Sequence, residues 1–221
     1  RKQPDFYCPN GDDRINIGVT DNLYDAVVTF TGGKDSLWNL MKVQHESQKP
    51  LALHISGLNQ SVASRELAYA LKQSKTFGFD FHVIEIKNSK NSRGFIAMRS
   101  RDFFLTALSI PTAVSNGACR IILEGGFYIG EEENGAAFCY RMSAWEAFNK
   151  MLAKMGLSVS AFWYDDQLEI GKIRELLEKR PNWLPMVINC LSMPCFVPGI
   201  RRDLFEKIGD FKSIIESMSI E

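Results

Sequence analysis

No stretch of this 221-residue sequence is apolar for long enough to cross a membrane, and no secretory signal is visible. An excess of charge is also missing, because 26 lysines and arginines balance 26 aspartates and glutamates. A neutral chain lacks the broad basic surface that binds nucleic acid, although a local basic groove is compatible with this balance. We therefore expect neither a membrane partner nor a nucleic-acid partner.

Cysteine is scarce and unpaired along the chain. The five cysteines are Cys8, Cys119, Cys139, Cys190 and Cys195. An odd number at scattered positions does not form the framework of a disulfide-rich secreted protein, so the sequence predicts a cytoplasmic protein. The absence of a Cys-x-x-Cys pair also disfavours an enzyme that transfers sulfur through paired thiols.

The most informative segment lies between the first apolar run and the first helical pattern. The β-branched run at residues 26–31 predicts a buried strand, and Gly32 and Gly33 interrupt it before helical periodicity begins at Ser36. Glycines allow backbone N–H groups to converge on one point, and the helix dipole adds positive potential there. Lys34 would add a point charge and Ser36 a hydroxyl donor, so the segment predicts a phosphate site. The alternative is an ordinary turn after a strand.

Strands and helices alternate through the first half of the chain, which is typical of an α/β fold. The predicted strands are 26–31, 51–55, 81–86 and 120–124, and the predicted helices are 36–47, 64–77, 103–116, 143–155, 169–179 and 203–217. We expect Pro111 to kink the third helix or to shift its start. Such alternation predicts a parallel sheet with helices on both faces, plus a small C-terminal helical part. Ligands bind such sheets at the carboxyl ends of the strands.

The domain organisation is predicted to be simple. Residues 1–22 are polar and rich in turn residues, and the chain starts at Arg1 rather than at a methionine. We therefore expect this segment to be an N-terminal lead-in or the end of a preceding domain. Residues 23–221 are expected to form one nucleotide-binding domain.

The string TGGKDS at residues 31–36 resembles the Ser-Gly-Gly-x-Asp-Ser signature of the PP-loop ATP pyrophosphatases, with Thr31 in place of the first serine. A Walker loop would need four residues between its first glycine and Gly-Lys-Ser/Thr. The resemblance implies a Rossmann-like fold of the adenine nucleotide alpha hydrolase type. It also implies that ATP and Mg²⁺ bind, and that ATP is cleaved between its α and β phosphates.

The same resemblance implies roles for side chains outside the glycines. Lys34, together with Arg99 or Arg101, would neutralise the departing pyrophosphate. Asp35 would cap the helix or bind Mg²⁺. Adenine would lie over the end of the second strand.

Two residues at the end of that strand are the candidates for the adenine contact. They are His54 and Ser56. His54 has an alternative role as a core histidine with satisfied hydrogen bonds, and we favour that role.

Later segments resemble the 7-cyano-7-deazaguanine synthase (QueC) branch of the superfamily. Residues 99–107 are similar to its helix entry, residues 137–149 to its Tyr-Pro-Asp-Cys-Arg segment, and residues 189–195 to the start of its cysteine-rich end. This resemblance implies adenylation of a carboxylate, of a 7-deazaguanine-type compound, for joining to an amine. Arg141 and the glycine pair Gly125 and Gly126 would hold the acceptor.

Three departures from the QueC pattern suggest a specialised relative. Pro198 and Arg201 stand where two zinc cysteines belong, so a structural zinc site is expected to be absent. The turn at residues 56–61 has lost most of the polar groups of the family's substrate turn, and Gln167 replaces a lysine. QueC-like proteins of antiphage systems fit these changes, with a protein amine as acceptor, in a homodimer or as a subunit of a defence complex.

Two other classes of function stay open at this point. A non-catalytic nucleotide-binding subunit of a larger complex is the first, although the intact Gly32-Gly33-x-Asp35-Ser36 pattern argues against it. A tRNA-modifying PP-loop transferase is the second, and the neutral charge and the unpaired cysteines disfavour it.

Overall fold

The computed structural model describes residues 23–46, 48–57, 63–86, 101–123, 142–164 and 169–186. The elements in these residues are β1 (Ala26–Thr29), α1 (Lys34–His45), β2 (Pro50–Ser56), α2 (Ala63–Phe77), β3 (Phe81–Glu85), α3 (Arg101–Ser115), β4 (Arg120–Ile122), α4 (Met142–Lys154), β5 (Ser160–Phe162), α5 (Glu169–Lys179) and a 3-10 helix (Pro181–Met186). The predicted strands and helices in this part of the chain are confirmed, with shifts of a few residues at their ends. Strand β5 and the 3-10 helix were not predicted. The predicted lead-in at 1–22 and the predicted helix at 203–217 lie outside the described residues.

The five strands form one parallel sheet in the order β3-β2-β1-β4-β5. Val28 of β1 pairs with Ala52 of β2 on one side and with Ile122 of β4 on the other. The chain moves outward from β1 to β3 and then returns to the opposite side of β1 with β4. A ligand crevice forms at such a switch point, outside the carboxyl ends of the strands. The segment predicted to bind phosphate follows β1 and so lies at this point.

Both faces of the sheet are buried at the central strands β1, β2 and β4, in agreement with the predicted helices on two sides, whereas the edge strand β3 is partly exposed. Val28 and Ile122 belong to a core shared with α1 and α5, whereas Val27 and Ile121 belong to a core shared with α3 and α4. Neighbouring residues of a strand point to opposite faces, which explains why consecutive apolar residues are needed here. Each such buried aliphatic side chain stabilises the fold by about 1.5–3 kcal/mol.

Helix α3 continues through Pro111, so the prediction that this proline would shift the helix start is wrong. Proline removes the hydrogen bond to the carbonyl of residue 107, four positions earlier. Ala107 and Pro111 are both exposed, and water can therefore solvate that carbonyl group. None of the helices in the described ranges is both long and apolar enough to cross a bilayer.

Candidate active site

The loop between β1 and α1 has the geometry of an anion site. Gly32 adopts a left-handed backbone with φ of 83°, which favours glycine. Gly33 is the N-cap residue of α1, and no side-chain hydrogen bond caps the helix there. The first turn of a helix has backbone N–H groups without intrahelical acceptors, and the dipole makes this end positive. The loop can therefore offer several N–H donors to one phosphate group.

Asp35 binds two ammonium groups at this loop. Its Oδ2 lies 2.9 Å from the Nζ of Lys34, and its Oδ1 lies 2.9 Å from the Nζ of Lys172. Burial of the carboxyl opposes ionisation, but the two lysines outweigh burial and lower the pKa of Asp35. Asp35 lies in the first turn of α1 and is not its cap, so the capping role predicted as one alternative is wrong.

Lys172 was not predicted as a site residue. It comes from α5 and is only 3% exposed, and its Nζ also lies 5.0 Å from the centre of the Trp38 ring. The sequence was interpreted as lacking the family's lysine because Gln167 stands there, yet Lys172 brings an ammonium group to the loop. Its position beside the buried Ile173 and Leu176 was the available signal, since a lysine on an apolar helix face needs a partner.

Polar contacts between α1 and α5 hold the helix that carries Lys172 in place. The Trp38 Nε1 donates to Oε2 of Glu175 at 2.8 Å. The Nζ of Lys42 lies 3.7 Å from Oε1 of Glu175 and 5.2 Å from the centre of the Trp38 ring. These contacts join the two helices one turn beyond the loop, so the backbone of α5 has a defined position relative to the phosphate site.

Two helix side chains also bind the loop and its surroundings. The Nε2 of Gln73, in α2, donates to the carbonyl oxygen of Gly32 at 2.9 Å. The Nδ2 of Asn39, in α1, donates to the carbonyl oxygen of Leu123 at 2.7 Å, at the end of β4. Both side chains are buried, which makes these bonds part of the core. The loop is thus fixed from α2 on one side and α1 is fixed to β4 on the other.

Ser36 and Thr31 contact the loop itself. The buried Ser36 hydroxyl donates to the carbonyl oxygen of Gly33 at 3.0 Å. The Gly33 N–H donates to the Thr31 Oγ1 at a long 3.4 Å. A phosphate contact from Ser36 stays a prediction, and it requires the hydroxyl to leave the Gly33 carbonyl.

His54 lies at the carboxyl end of β2, next to the loop. Its Nδ1 lies 2.8 Å from the carbonyl oxygen of Phe30, so Nδ1 carries the proton and Nε2 is left as an acceptor. Burial lowers the pKa of His54 and outweighs the bond to Phe30, so the ring is neutral at neutral pH. The ring stacks on Phe81, with centres 6.2 Å apart. These contacts agree with the core role, while the buried Nε2 has no hydrogen-bond partner among the described residues.

Ser56 and the residue after it close the end of β2 against β3. The carbonyl oxygen of Ser56 accepts from the Ile86 N–H at 3.0 Å. Gly57 has φ of 91°, and a side chain there would clash with the carbonyl oxygen of Ile86. The structure thus places Ser56 on the same sheet edge as the phosphate loop, one strand away. An adenine contact by His54 or Ser56 stays a prediction.

Four predicted site residues lie outside the described residues. They are Arg99, Gly125, Gly126 and Arg141. Arg101 is the first residue of α3, but nothing is described of its side chain. In the part of the chain that the structure covers, no group of three or more His, Cys, Asp or Glu residues could hold a metal ion. The segment at 190–201, where zinc was expected to be absent, is not in that part.

Comparison with known proteins gives a match in fold and none in sequence. Neither protein families nor curated proteins yielded a match. Among solved structures, the U34-tRNA thiolase NcsA from Methanococcus maripaludis, with its 4Fe–4S cluster, has a similar fold. The match covers 89% of this chain and 68% of the thiolase, with 12% sequence identity and a TM-score of 0.53. Identity at this level shows the fold alone.

The five-stranded parallel sheet with helices on both faces confirms the predicted α/β fold class, and the likeness to NcsA is a likeness of fold. The QueC-like branch receives no support from this match.

Proposed function

We propose that this protein is a PP-loop enzyme that cleaves ATP between its α and β phosphates and transfers AMP to an acceptor. The observation that supports this most directly is the pair of lysines at the glycine loop. Lys34 and Lys172 both lie 2.9 Å from Asp35, beside the uncapped N-terminus of α1. Two cations and a set of N–H donors in one place suit a leaving group with several negative charges.

In this mechanism the protein stabilises the pyrophosphate that departs. The N–H groups of the first turn of α1 bind its oxygens, and Lys34 and Lys172 neutralise its charge as the bond to the α phosphorus breaks. The acceptor oxygen supplies the attacking electron pair, so the protein needs no nucleophile of its own. Asp35 offers the hard oxygen ligands that Mg²⁺ prefers, and Mg²⁺ bound there would neutralise phosphate oxygens.

For the acceptor, we propose the carboxylate of a 7-deazaguanine-type compound, which is then joined to an amine. The support is the resemblance of residues 99–107 and 137–149 to QueC segments. We propose that this amine belongs to a protein within an antiphage system, because such a partner suits the changed substrate turn. A homodimer, or a subunit of a defence complex in the cytoplasm, belongs to this same proposal.

A second candidate is the modification of tRNA. The observation in its favour is that a protein with a similar fold is a U34-tRNA thiolase. Against it, the sequence contains no Cys-x-x-Cys pair, and Cys119 is the only cysteine in the described residues. The balanced charge of the chain also argues against a wide tRNA-binding surface.

An assay that identifies the products formed from ATP in the presence of Mg²⁺ distinguishes these proposals. With 7-carboxy-7-deazaguanine present, we expect pyrophosphate to be released and AMP to be transferred to the carboxylate, AMP to be released when an amine is added, and Lys34→Ala to abolish pyrophosphate release. Lys75→Ala, at an exposed position of α2, is the matched control and should keep the wild-type rate. Release that requires unmodified tRNA instead would favour the second candidate. ATP binding without any turnover would favour the non-catalytic nucleotide-binding subunit.

A further inference from the structure

The peptide unit between Gly32 and Gly33 is free to rotate unless something holds it. Gly32 has φ of 83°, and neither glycine has a Cβ to restrict the backbone. Rotation of this peptide exchanges its two ends, because the C=O and the N–H of a trans peptide point in opposite directions. One orientation presents an N–H donor to the phosphate site, and the other presents a carbonyl oxygen, which repels phosphate.

Gln73 fixes one of these orientations. Its side chain belongs to a residue that is fully buried in α2, and its Nε2 donates to the Gly32 carbonyl oxygen at 2.9 Å. The carbonyl is thereby held toward α2, and the Gly33 N–H points to the opposite side. On that side, among the described residues, the N–H has a long contact of 3.4 Å with the Thr31 Oγ1, beyond the usual range of 2.7–3.2 Å. A phosphate oxygen can therefore replace this acceptor at low cost.

We infer that Gln73 is a positioning residue that keeps the Gly33 N–H directed at the pyrophosphate group of the bound nucleotide. This inference rests on the proposed function, because it assigns the N–H to the leaving group of that reaction. Gln73 does not contact the nucleotide itself. Its donor group is essential to the role, because a carbonyl oxygen is held only by an N–H or O–H donor.

Two substitutions remove the donor in different ways. Gln73→Met keeps the length of the side chain but has no donor, so the peptide can rotate. Gln73→Leu also has no donor and leaves a shorter apolar side chain, so the same rotation is possible. In both variants the bound pyrophosphate loses the hydrogen bond from the Gly33 N–H to its charged oxygen. Because hydrogen bonds to charged groups contribute strongly to binding, we expect pyrophosphate to bind about 10- to 100-fold more weakly. AMP, which lacks the leaving group, should bind within about twofold of wild type.

Calorimetric titration with inorganic pyrophosphate and with AMP tests this inference. The control is Gln44→Met, the same change at a half-buried position of α1, and it should leave both affinities unchanged. Equal loss of pyrophosphate and AMP binding, or no loss of either, would overturn the inference. A wild-type protein that binds neither pyrophosphate nor ATP would overturn the proposed function as well.

A second measurement needs no variant. In the wild-type protein, pyrophosphate should move the amide proton resonance of Gly33 downfield, because the N–H exchanges a long hydrogen bond for one to a charged oxygen. The same resonance should stay in place on addition of AMP. A Gly33 resonance that does not respond to bound pyrophosphate would contradict the inference even if both variants failed to fold.

Discussion

Asp35→Asn should lower the free energy of unfolding of the ligand-free protein. The same substitution should strengthen the binding of pyrophosphate. Asparagine keeps the size of the side chain but has no charge to hold the two lysines. The Lys172 side chain, which is 4% exposed, then loses its anion. Removal of one partner from a buried pair costs about 3–5 kcal/mol. The Asp35 side chain is 28% exposed and Lys172 keeps its contact with Trp38, so we expect a loss of about 2–3 kcal/mol of unfolding free energy.

The gain in affinity follows from the same contacts. In the wild type, an incoming anion has to displace the Asp35 carboxylate from Lys34 and Lys172, each at 2.9 Å. In the variant no carboxylate competes. Charge-assisted hydrogen bonds contribute about 1.5–3 kcal/mol each, and partial exposure reduces this. We therefore expect pyrophosphate to bind about 10- to 100-fold more tightly without Mg²⁺, which corresponds to about 1.4–2.8 kcal/mol.

Chemical denaturation and calorimetric titration in EDTA measure the two effects. Glu178→Gln, at an exposed position of the same helix as Lys172, removes an equal charge and controls for the change in net charge. It should alter neither quantity by more than about 0.5 kcal/mol. Pyrophosphate affinity that is unchanged or weaker in Asp35→Asn would refute the argument that Asp35 competes with the anion for these lysines.

Three further predictions concern the surroundings of the loop. Lys172→Met should slow pyrophosphate release about 10- to 100-fold, while Arg174→Met, at an exposed position of α5, should not. Wild-type unfolding free energy should fall as the pH drops below 6.5, by up to about 1.4 kcal/mol per pH unit, because the unfolded chain protonates before the buried His54; urea denaturation of His54→Phe should lack this component, and an identical pH profile would contradict it. Trp38→Phe should lower the unfolding free energy by about 1–2 kcal/mol in the same assay, since Glu175 loses a buried donor.

The sequence allowed prediction of those features that depend on neighbouring residues. Val27 and Val28 are β-branched and consecutive, which is typical of a strand buried on both faces. Gly32 and Gly33 mark the turn into α1, and the left-handed backbone of Gly32 confirms the need for glycine there. Strand β5 escaped prediction because its three residues form no β-branched run and are defined only by pairing with β4.

Of the candidate site, the sequence predicted the residues of the glycine loop but not the distant residues that contact it. Lys172 contacts Asp35 from 137 residues away, and Gln73 contacts Gly32 from 41 residues away. No local pattern encodes such contacts, since they depend on how α5 and α2 pack against α1 and β1. A buried lysine or glutamine on an apolar helix face does indicate a polar partner, but it does not identify which one.

The central claim is tested most directly by identifying which phosphate bond of ATP is broken. Parallel reactions with ATP labelled at the α or at the γ phosphorus, in the presence of the acceptor, show where each label ends. The account predicts the α label in AMP or its adduct, and the γ label in pyrophosphate. Recovery of the γ label as inorganic phosphate, formed directly by the purified protein, would contradict it.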